Sequence, residues 1–354
     1  MSDPGTLEAG GRAAVLVLVE TACATLEASR SRIDDLNVFP VPDGDTGTNM
    51  ARTAAAVAAA LRALSPSDAA RQAEVVTRAA LMGARGNSGI ILSQIVRGAV
   101  GELAARGVLD GASIAAALAA ACDAAYAAVG VPVEGTMLTV IREMALGAEL
   151  AQPCSVERTL ELALAAGEGS LARTPELLPR LREAGVVDAG GAGLVELLRG
   201  LLAGLRGEPA PTTPAGGSST AALDPVHDDG SIYRYCTSFL VEGPAVRPDG
   251  LERQLATLGD SILIVGAAPV FKVHVHTDDP GGALRLGTHV GTIGGVEVAD
   301  MHAQVAARLA RLAPERACDV VFVSHGAGNR ALAASLGARA IVDRGDSGDD
   351  PSTE

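Results

Sequence analysis

Two aspartates separated by one glycine occur in the segment NVFPVPDGDTGTNM, residues 37–50. At that spacing Asp43 and Asp45 cannot share one face of a helix, but on a turn that contains Gly44 their carboxylates can converge on one point. A cation there would offset the repulsion between them. Mg²⁺ typically takes one or two protein carboxylates and completes its shell with water and phosphate oxygens. The segment therefore indicates a metal site on a loop.

Three further glycine-containing loops precede apolar helical segments: GARGNSGIILSQ (83–94), EGTMLTVIRE (134–143) and VVDAGGAGLVELL (186–198). In the first, Asn87 or Ser88 can cap the helix, and the N–H groups at its start form an anion site. Each loop alone is more typical of an ordinary connection between helices. Together with the paired aspartates they supply what the phosphates of a nucleotide and Mg²⁺ require.

The known phosphate and calcium motifs do not match these loops. In an EF-hand beginning at Asp43, the twelfth position would be Ala54, which cannot bind calcium. A Walker loop and a protein kinase both need a lysine, and the single lysine of the chain, Lys272, lies outside every glycine loop. Phosphoryl transfer here would have to use metal ions, backbone N–H groups and arginine.

The pattern along the chain predicts several domains. Alanine- and leucine-rich runs with a helical period fill residues 7–205, and a Pro/Gly/Ser/Thr-rich linker follows at 206–230. Strand patterns at 234–243, 260–267 and 270–277, then a helical segment, predict an α/β domain over 231–313. Residues 314–354 read as one βαβ unit and a polar tail, which is too little for an independent core. We therefore expect a third domain that begins but is incomplete.

A second metal site is suggested in the α/β domain. His274 and His276 alternate on one predicted strand and share a face, and pairing could bring Cys236 close to them. Two His and one Cys suit Zn²⁺, with water or Asp278 as the fourth ligand. From spacing alone, two half-buried histidines beside an unrelated cysteine are the favoured interpretation. Any zinc site is expected to be structural or regulatory, because the nucleotide loops belong to the other domain.

Composition excludes several functions. The formal net charge of −14 argues against general binding to nucleic acid or to an anionic membrane. The apolar stretch that follows Arg12 is too short to span a bilayer, so no membrane insertion is expected. The five cysteines form no CxxC pair and no disulfide framework, which favours a reducing cytoplasm.

The four loop motifs, in order, resemble the nucleotide-binding domain of the dihydroxyacetone kinase L-subunit type, and NVFPVPDGDTGTNM is most similar to the bacterial fatty acid kinase A subunit. The resemblance continues through YRYCTSFL and KVHVHTDDPG to about residue 345. It implies an all-α eight-helix barrel with ATP at one end, followed by the α/β domain, and it strengthens the zinc hypothesis for Cys236, His274 and His276.

The resemblance also assigns site residues. Asp43 and Asp45 inherit the catalytic Mg²⁺ role. Asn37 stands near the place where related kinases have a third carboxylate, so it is implied as a Mg²⁺ ligand through a neutral oxygen. The residues implied to lie near the phosphates are Thr46, Thr48, Asn49, Gly86, Asn87, Ser88 and Gly89. Those implied to line the rest of the nucleotide pocket are Thr136, Met137, Asp188, Gly190 and Gly191.

The activity implied is transfer of the ATP γ-phosphoryl group to a fatty acid carboxylate held by a separate lipid-binding protein, giving an acyl phosphate. The family resemblance also leads us to expect a homodimer, with the region after residue 313 engaging the lipid-binding partner. A dihydroxyacetone-type kinase is a second interpretation, although those L-subunits normally end after the helical domain. A nucleotide- and metal-binding regulatory protein without turnover is the third.

Overall fold

The structure is a computed structural model, and it describes residues 4–64, 69–150, 153–211, 231–243, 247–312, 321–324, 327–335 and 340–343. The chain divides into two compact units, Met1–Arg308 and Leu309–Glu354. Most of the predicted linker and the C-terminal tail lie outside the described residues.

A closed ring of helices forms the first part of the larger unit, which confirms the predicted all-α region. Eight long helices pack in ring order, each against the next, and α10 packs back against α1. Two short helices, α2 and α9, lie at the end of the ring where the predicted loops occur. The helices are α1 (Pro4–Ala28), α2 (Arg30–Leu36), α3 (Thr46–Ala63), α4 (Ala69–Gly83), α5 (Gly86–Arg106), α6 (Gly111–Ala127), α7 (Met137–Leu150), α8 (Val156–Leu177), α9 (Pro179–Ala184) and α10 (Ala189–Arg206).

Small residues let these helices approach closely. A Cβ atom added at Gly98 would lie 2.2 Å from the Ala120 oxygen, and one at Gly200 would lie 2.5 Å from the Ala22 Cα. Glycine inside a helix costs roughly 0.5–1 kcal/mol relative to alanine. The close packing offsets that cost in a chain whose residues are only 2% aromatic.

A four-stranded antiparallel sheet forms the middle domain, in the order β2-β3-β1-β4. Sequence analysis predicted three of its strands but not β4, whose adjacent Gly294 and Gly295 weaken the strand pattern. The elements are β1 (Tyr235–Glu242), α11 (Pro248–Leu255), β2 (Gly259–Ala267), β3 (Val270–Thr277), α12 (Pro280–Val290), β4 (Thr292–Asp300) and α13 (Met301–Leu312).

The two faces of β3 are covered by different parts of the molecule, and all eight of its residues are buried. Val273 and Val275 lie in a core with Phe239, Leu251 and Leu255. On the other face, neighbouring β2 packs Leu263 and Val265 against Leu81, Ala84 and Ile90 of the helical ring. The sheet therefore lies directly on the turn between α4 and α5.

The smaller unit contains β5 (Val321–Ser324), α14 (Ala327–Ser335) and β6 (Ala340–Asp343), and its two strands are parallel. This matches the predicted strand, helix and strand. Among the described residues, no helix is both long and apolar enough to cross a membrane.

Candidate active site

The paired-aspartate loop, residues 37–45, joins the end of α2 to the start of α3. Gly44 has a φ of +71°, a left-handed conformation that favours glycine and turns the chain between the two acids. The Asn37 amide donates a 2.6 Å hydrogen bond to Asp43 Oδ1. In this arrangement Asn37 orients Asp43, although the sequence predicted it as a metal ligand.

Burial raises the pKa of both carboxyls. The pKa of Asp43 is raised well above its usual value, first by burial and then by the charge of Asp45. Burial also raises the pKa of Asp45, and the charge of Asp34 adds to the effect. Two half-buried carboxyls this close repel each other when ionised, and a cation would offset that repulsion. The loop therefore fits the predicted Mg²⁺ site.

Asp34 is a third carboxylate near this loop, and sequence analysis did not single it out. It is buried, and its two oxygens accept hydrogen bonds from the Thr48 backbone N–H at 2.9 Å and the Thr48 hydroxyl at 2.8 Å. It thereby fixes the first turn of α3. The sequence signal was weak because an acid on a short helix usually faces solvent.

The start of α5 lies beside the start of α3. Thr46 Oγ1 and Ser88 Oγ are 3.5 Å apart, and Gly86, at a φ of +54°, leaves room for the Asn49 amide. Asn87 Oδ1 is buried without a hydrogen-bond partner among the described residues. These contacts bring together the predicted phosphate-binding residues of the first two loops.

The starts of α7 and α10 adjoin each other in the same way. A Cβ at Gly190 would lie 3.0 Å from the Met137 Cβ. Asp188 caps α10 by accepting a 2.6 Å bond from the Gly191 N–H, and full burial raises its pKa to about 6. Thr136 bonds back to the Val133 carbonyl. Asp188 and Thr136 thus have structural partners, and their contact with a nucleotide stays a prediction.

All four loops lie at one end of the ring. Successive helices of the ring run in opposite directions, and the loops precede alternate helices, namely α3, α5, α7 and α10. Val38 of the first loop packs against Leu178, Leu181 and Val186, close to the fourth loop. The predicted site residues therefore share one end of the barrel, although only those of the first two loops line the pocket described next.

The paired-aspartate loop and the start of α5 form a small pocket that the sheet closes. Its volume is about 30 Å³, the size of roughly two water molecules and far less than a nucleotide needs. It is lined by Asn37, Phe39, Pro40, Val41, Asp43, Asp45, Thr46, Gly86, Asn87, Ser88, Cys236, His274 and His276. The two predicted metal sites thus face the same cavity.

The cysteine–histidine cluster therefore lies beside the paired-aspartate loop, although the two belong to different domains. Even-numbered residues of β3 point to one face, and that face rests on the α4–α5 turn. His274 and His276 consequently point toward the paired aspartates and do not lie in a separate region. Strand alternation predicted that they share a face, but not which element covers that face.

The cluster itself has the geometry of a metal site. The candidate ligand atoms of Cys236, His274 and His276 lie within 4.8 Å of one another. Cys236 Sγ is 3.7 Å from His274 Nδ1, and Ser238 Oγ is 3.2 Å from the same nitrogen. His274 Nε2 and His276 Nδ1 are buried without hydrogen-bond partners among the described residues.

The protonation states of the two histidines suit a metal, whereas that of Cys236 does not. Burial lowers the pKa of His274 well below its usual value and that of His276 to about 4, so both imidazoles are neutral, which is the ligating form. Burial raises the pKa of the Cys236 thiol, as do the charges of Asp45 and Asp43. The predicted fourth ligand, Asp278, is instead occupied by the Arg234 N–H at 2.8 Å. Asp260 is the carboxylate near His276, at 3.7 Å.

Lys272 extends the same row of side chains and was not predicted as a site residue. It is 1% exposed. Burial, followed by the charge of Arg85, lowers its pKa to about 8. Arg85 immediately precedes α5 and pairs with Glu297 of β4 at 2.5 Å. The tertiary structure thus brings the single lysine of the chain to the charged groups at the start of α5.

Comparison with known proteins matches both parts of the larger unit. Residues 40–203 match the DAK2 domain, and residues 232–308 match the fatty acid kinase A-like middle domain. The chain belongs to the family of proteins that combine these two domains.

Curated relatives match most of this chain. The protein YloV of Bacillus subtilis strain 168 is 34% identical over 361 residues, which is 95% of this chain and 65% of the relative. An uncharacterized protein of Staphylococcus aureus strain USA300 is 33% identical over 91% of this chain and 62% of its own length. The chain thus spans less than two thirds of these relatives.

One solved structure is also similar. It is the dihydroxyacetone kinase from C. freundii in complex with AMP-PNP and Mg²⁺, at a TM-score of 0.42 and 25% identity over 54% of this chain and 33% of that chain. That TM-score is too low to transfer any ligand contact to this chain.

Proposed function

We propose that this protein is an ATP-dependent kinase subunit that phosphorylates a fatty acid presented by a separate lipid-binding protein. The observation that carries the proposal is the convergence of two half-buried aspartates, the start of α5 and a cysteine–histidine cluster on one cavity. The likeness to a fatty acid kinase A-like middle domain supports the choice of acceptor. A cytoplasmic homodimer belongs to the same proposal.

Asp43 and Asp45 would hold Mg²⁺, and Asn37 would keep Asp43 turned toward the ion. When bound, Mg²⁺ neutralises charge on the phosphates and so stabilises the transition state. The N–H groups at the start of α5, with Thr46 and Ser88, would orient the γ-phosphate. These groups supply positioning and charge, which is most of what phosphoryl transfer requires.

The reaction needs no nucleophile from the protein. An oxygen of the fatty acid carboxylate would attack the γ-phosphorus, and the bond from that phosphorus to the bridging oxygen would break. ADP leaves with the bonding electrons, and the products are ADP and an acyl phosphate. Cys236, His274 and His276 lie across the cavity from the aspartates, so they would face the acceptor side of the reaction.

Zinc is the metal that best fits these three residues. A thiol and two neutral imidazoles are typical zinc ligands, and the unpaired His274 Nε2 is consistent with a missing partner. Zinc would have to displace the proton of the half-buried Cys236 thiol. Bound there, it would fix the wall of the cavity opposite the aspartates.

We infer that the sheet and the loop separate to admit ATP, because the cavity is far smaller than the nucleotide. We place this opening between β3 and the paired-aspartate loop, because the lining residues on the two sides come from different domains.

Turnover assays test the proposal directly. The 354-residue chain would be incubated with ATP, Mg²⁺ and a long-chain fatty acid, with and without a cognate lipid-binding protein, and acyl phosphate would be measured. Product only in the presence of that protein supports the proposal. Transfer to dihydroxyacetone would identify the second interpretation, and Mg-ATP binding without any transfer would identify the regulatory one.

A further inference from the structure

Arg308, on α13 of the middle domain, is inserted into the paired-aspartate loop of the helical domain. It is 3% exposed. Its Nη1 donates hydrogen bonds to the Asn37 and Pro42 carbonyls, the latter at 3.2 Å, and its Nη2 donates to the Asp35 carbonyl. The guanidinium group therefore crosslinks the incoming and outgoing sides of the loop.

The loop is shaped to receive this side chain. A Cβ atom at residue 44 would lie 2.8 Å from the Arg308 Cδ, so Gly44 is needed for the contact as well as for its left-handed backbone. One turn earlier on α13, Gln304 Nε2 lies 3.5 Å from Asp45 Oδ2. Two side chains of one helix thus approach the loop.

Three hydrogen bonds from Arg308 end on backbone carbonyls, one at the end of α2 and two in the loop, whereas Asp43 and Asp45 line the cavity. Through these bonds the arginine stabilises the backbone that leads into the two candidate metal ligands.

We propose that Arg308 is a positioning residue through which the middle domain organises the paired-aspartate loop for metal binding. By holding the carbonyls of Asp35, Asn37 and Pro42, which all precede Asp43, it fixes the course of the backbone that leads into the two aspartates. The metal affinity of the helical domain then depends on whether α13 is docked. This inference rests on the proposed metal site of the kinase.

The test compares Mn²⁺ binding, as a spectroscopic probe for Mg²⁺, in the wild-type 354-residue chain and in Arg308→Ala and Arg308→Lys. We expect Arg308→Ala to weaken Mn²⁺ binding at least about tenfold, because small misplacements of a site have effects of this size or larger. Arg308→Lys should show a smaller loss, since an ammonium group reaches fewer of the three carbonyls. Added guanidinium ion at millimolar concentration should restore part of the affinity of Arg308→Ala.

Arg311→Ala is the matched control, because this arginine lies on the same helix and is exposed. It should bind Mn²⁺ as the wild type does. Thermal unfolding of each variant separates a loss of fold from a loss of metal affinity. If Arg308→Ala does not fold, Arg308→Lys with its intermediate affinity carries the test.

Wild-type Mn²⁺ affinity in folded Arg308→Ala or Arg308→Lys would overturn the inference and leave the proposed function standing. Weakened binding that guanidinium does not restore, with an equal loss in Arg311→Ala, would reduce the effect to general destabilisation of α13 and overturn it as well. Absence of Mn²⁺ binding in the wild type would instead remove the metal site and both proposals with it.

Discussion

The helical ring and the sheet contribute to one cavity by different physical means. The ring presents loops and helix starts, where glycine frees the backbone and acids can converge. The sheet presents a buried strand, where alternation alone puts Lys272, His274 and His276 on one face. Local sequence can predict such loops, but it does not predict which element packs against a given face of a sheet. The comparison teaches that chemistry assigned to one domain can be completed by the other.

The largest expected effect concerns the paired aspartates, which the helical ring contributes to the cavity. Asp43→Asn or Asp45→Asn should weaken Mg-ATP binding at least about a hundredfold, because each removes a charged metal ligand. Calorimetric titration with a non-hydrolysable ATP analogue measures this. Both variants should still fold, because a neutral amide relieves the repulsion between the two half-buried acids.

Asp123→Asn, an exposed change on α6, serves as the control for these variants and should bind as the wild type does. Unchanged affinity in both loop variants would remove the paired-aspartate site.

The second prediction concerns the cysteine–histidine cluster, which the sheet contributes to the cavity. Purified protein should carry about one Zn²⁺ per chain, and Cys236→Ser or His276→Ala should release it. Elemental analysis of protein prepared without chelators measures the stoichiometry, with His289→Ala, on α12 and away from the cluster, as the control. If the wild-type protein contained no metal, Cys236, His274 and His276 would be polar residues of the core without a metal-binding role.

A third test concerns the packing that brings the ring's helices together. Gly98→Ala should destabilise the protein by about 1–3 kcal/mol, since the new Cβ would overlap the Ala120 backbone. Gly101→Ala, on the same helix with no atom near its Cβ, should be neutral or stabilising by up to about 1 kcal/mol. Urea unfolding compares the two. Equal effects would show that close approach at Gly98 does not limit stability.

The smallest effect is a pH dependence of opposite sign in the two regions. Burial raises the pKa of Asp188 to about 6, so its contribution to stability is present below pH 3.8 and is lost as pH rises toward 6. Burial lowers the pKa of His276 to about 4, so its contribution is present above pH 6.5 and is lost as pH falls toward 4.

Unfolding free energies of metal-free protein, measured from about pH 4 to about pH 7, check this prediction. Asp188→Asn should reduce the loss of stability on raising the pH, to which Asp43 and Asp45 also contribute. His276→Gln should reduce the loss on lowering the pH, to which His274 also contributes. If both variants kept the wild-type dependence of unfolding free energy on pH, the assignment of these effects to Asp188 and His276 would be contradicted.

Much of the fold followed from the sequence. The helical period of the alanine and leucine runs predicted the ring, and alternation predicted three of the four middle-domain strands. The β4 strand was missed because paired glycines carry no alternation. The glycine loops were recognisable because left-handed turns and helix starts restrict residue types locally.

The sequence by itself determined that Asp43 and Asp45 share a turn and that His274 and His276 share a strand face, because both follow from spacing of a few residues. Only the tertiary structure decided that these pairs line one cavity, that Asp34 anchors Thr48, and that Arg308 holds the aspartate loop. Those contacts join residues far apart in the chain, and no local periodicity encodes which buried face meets which loop. Packing between the sheet and the α4–α5 turn sets that choice.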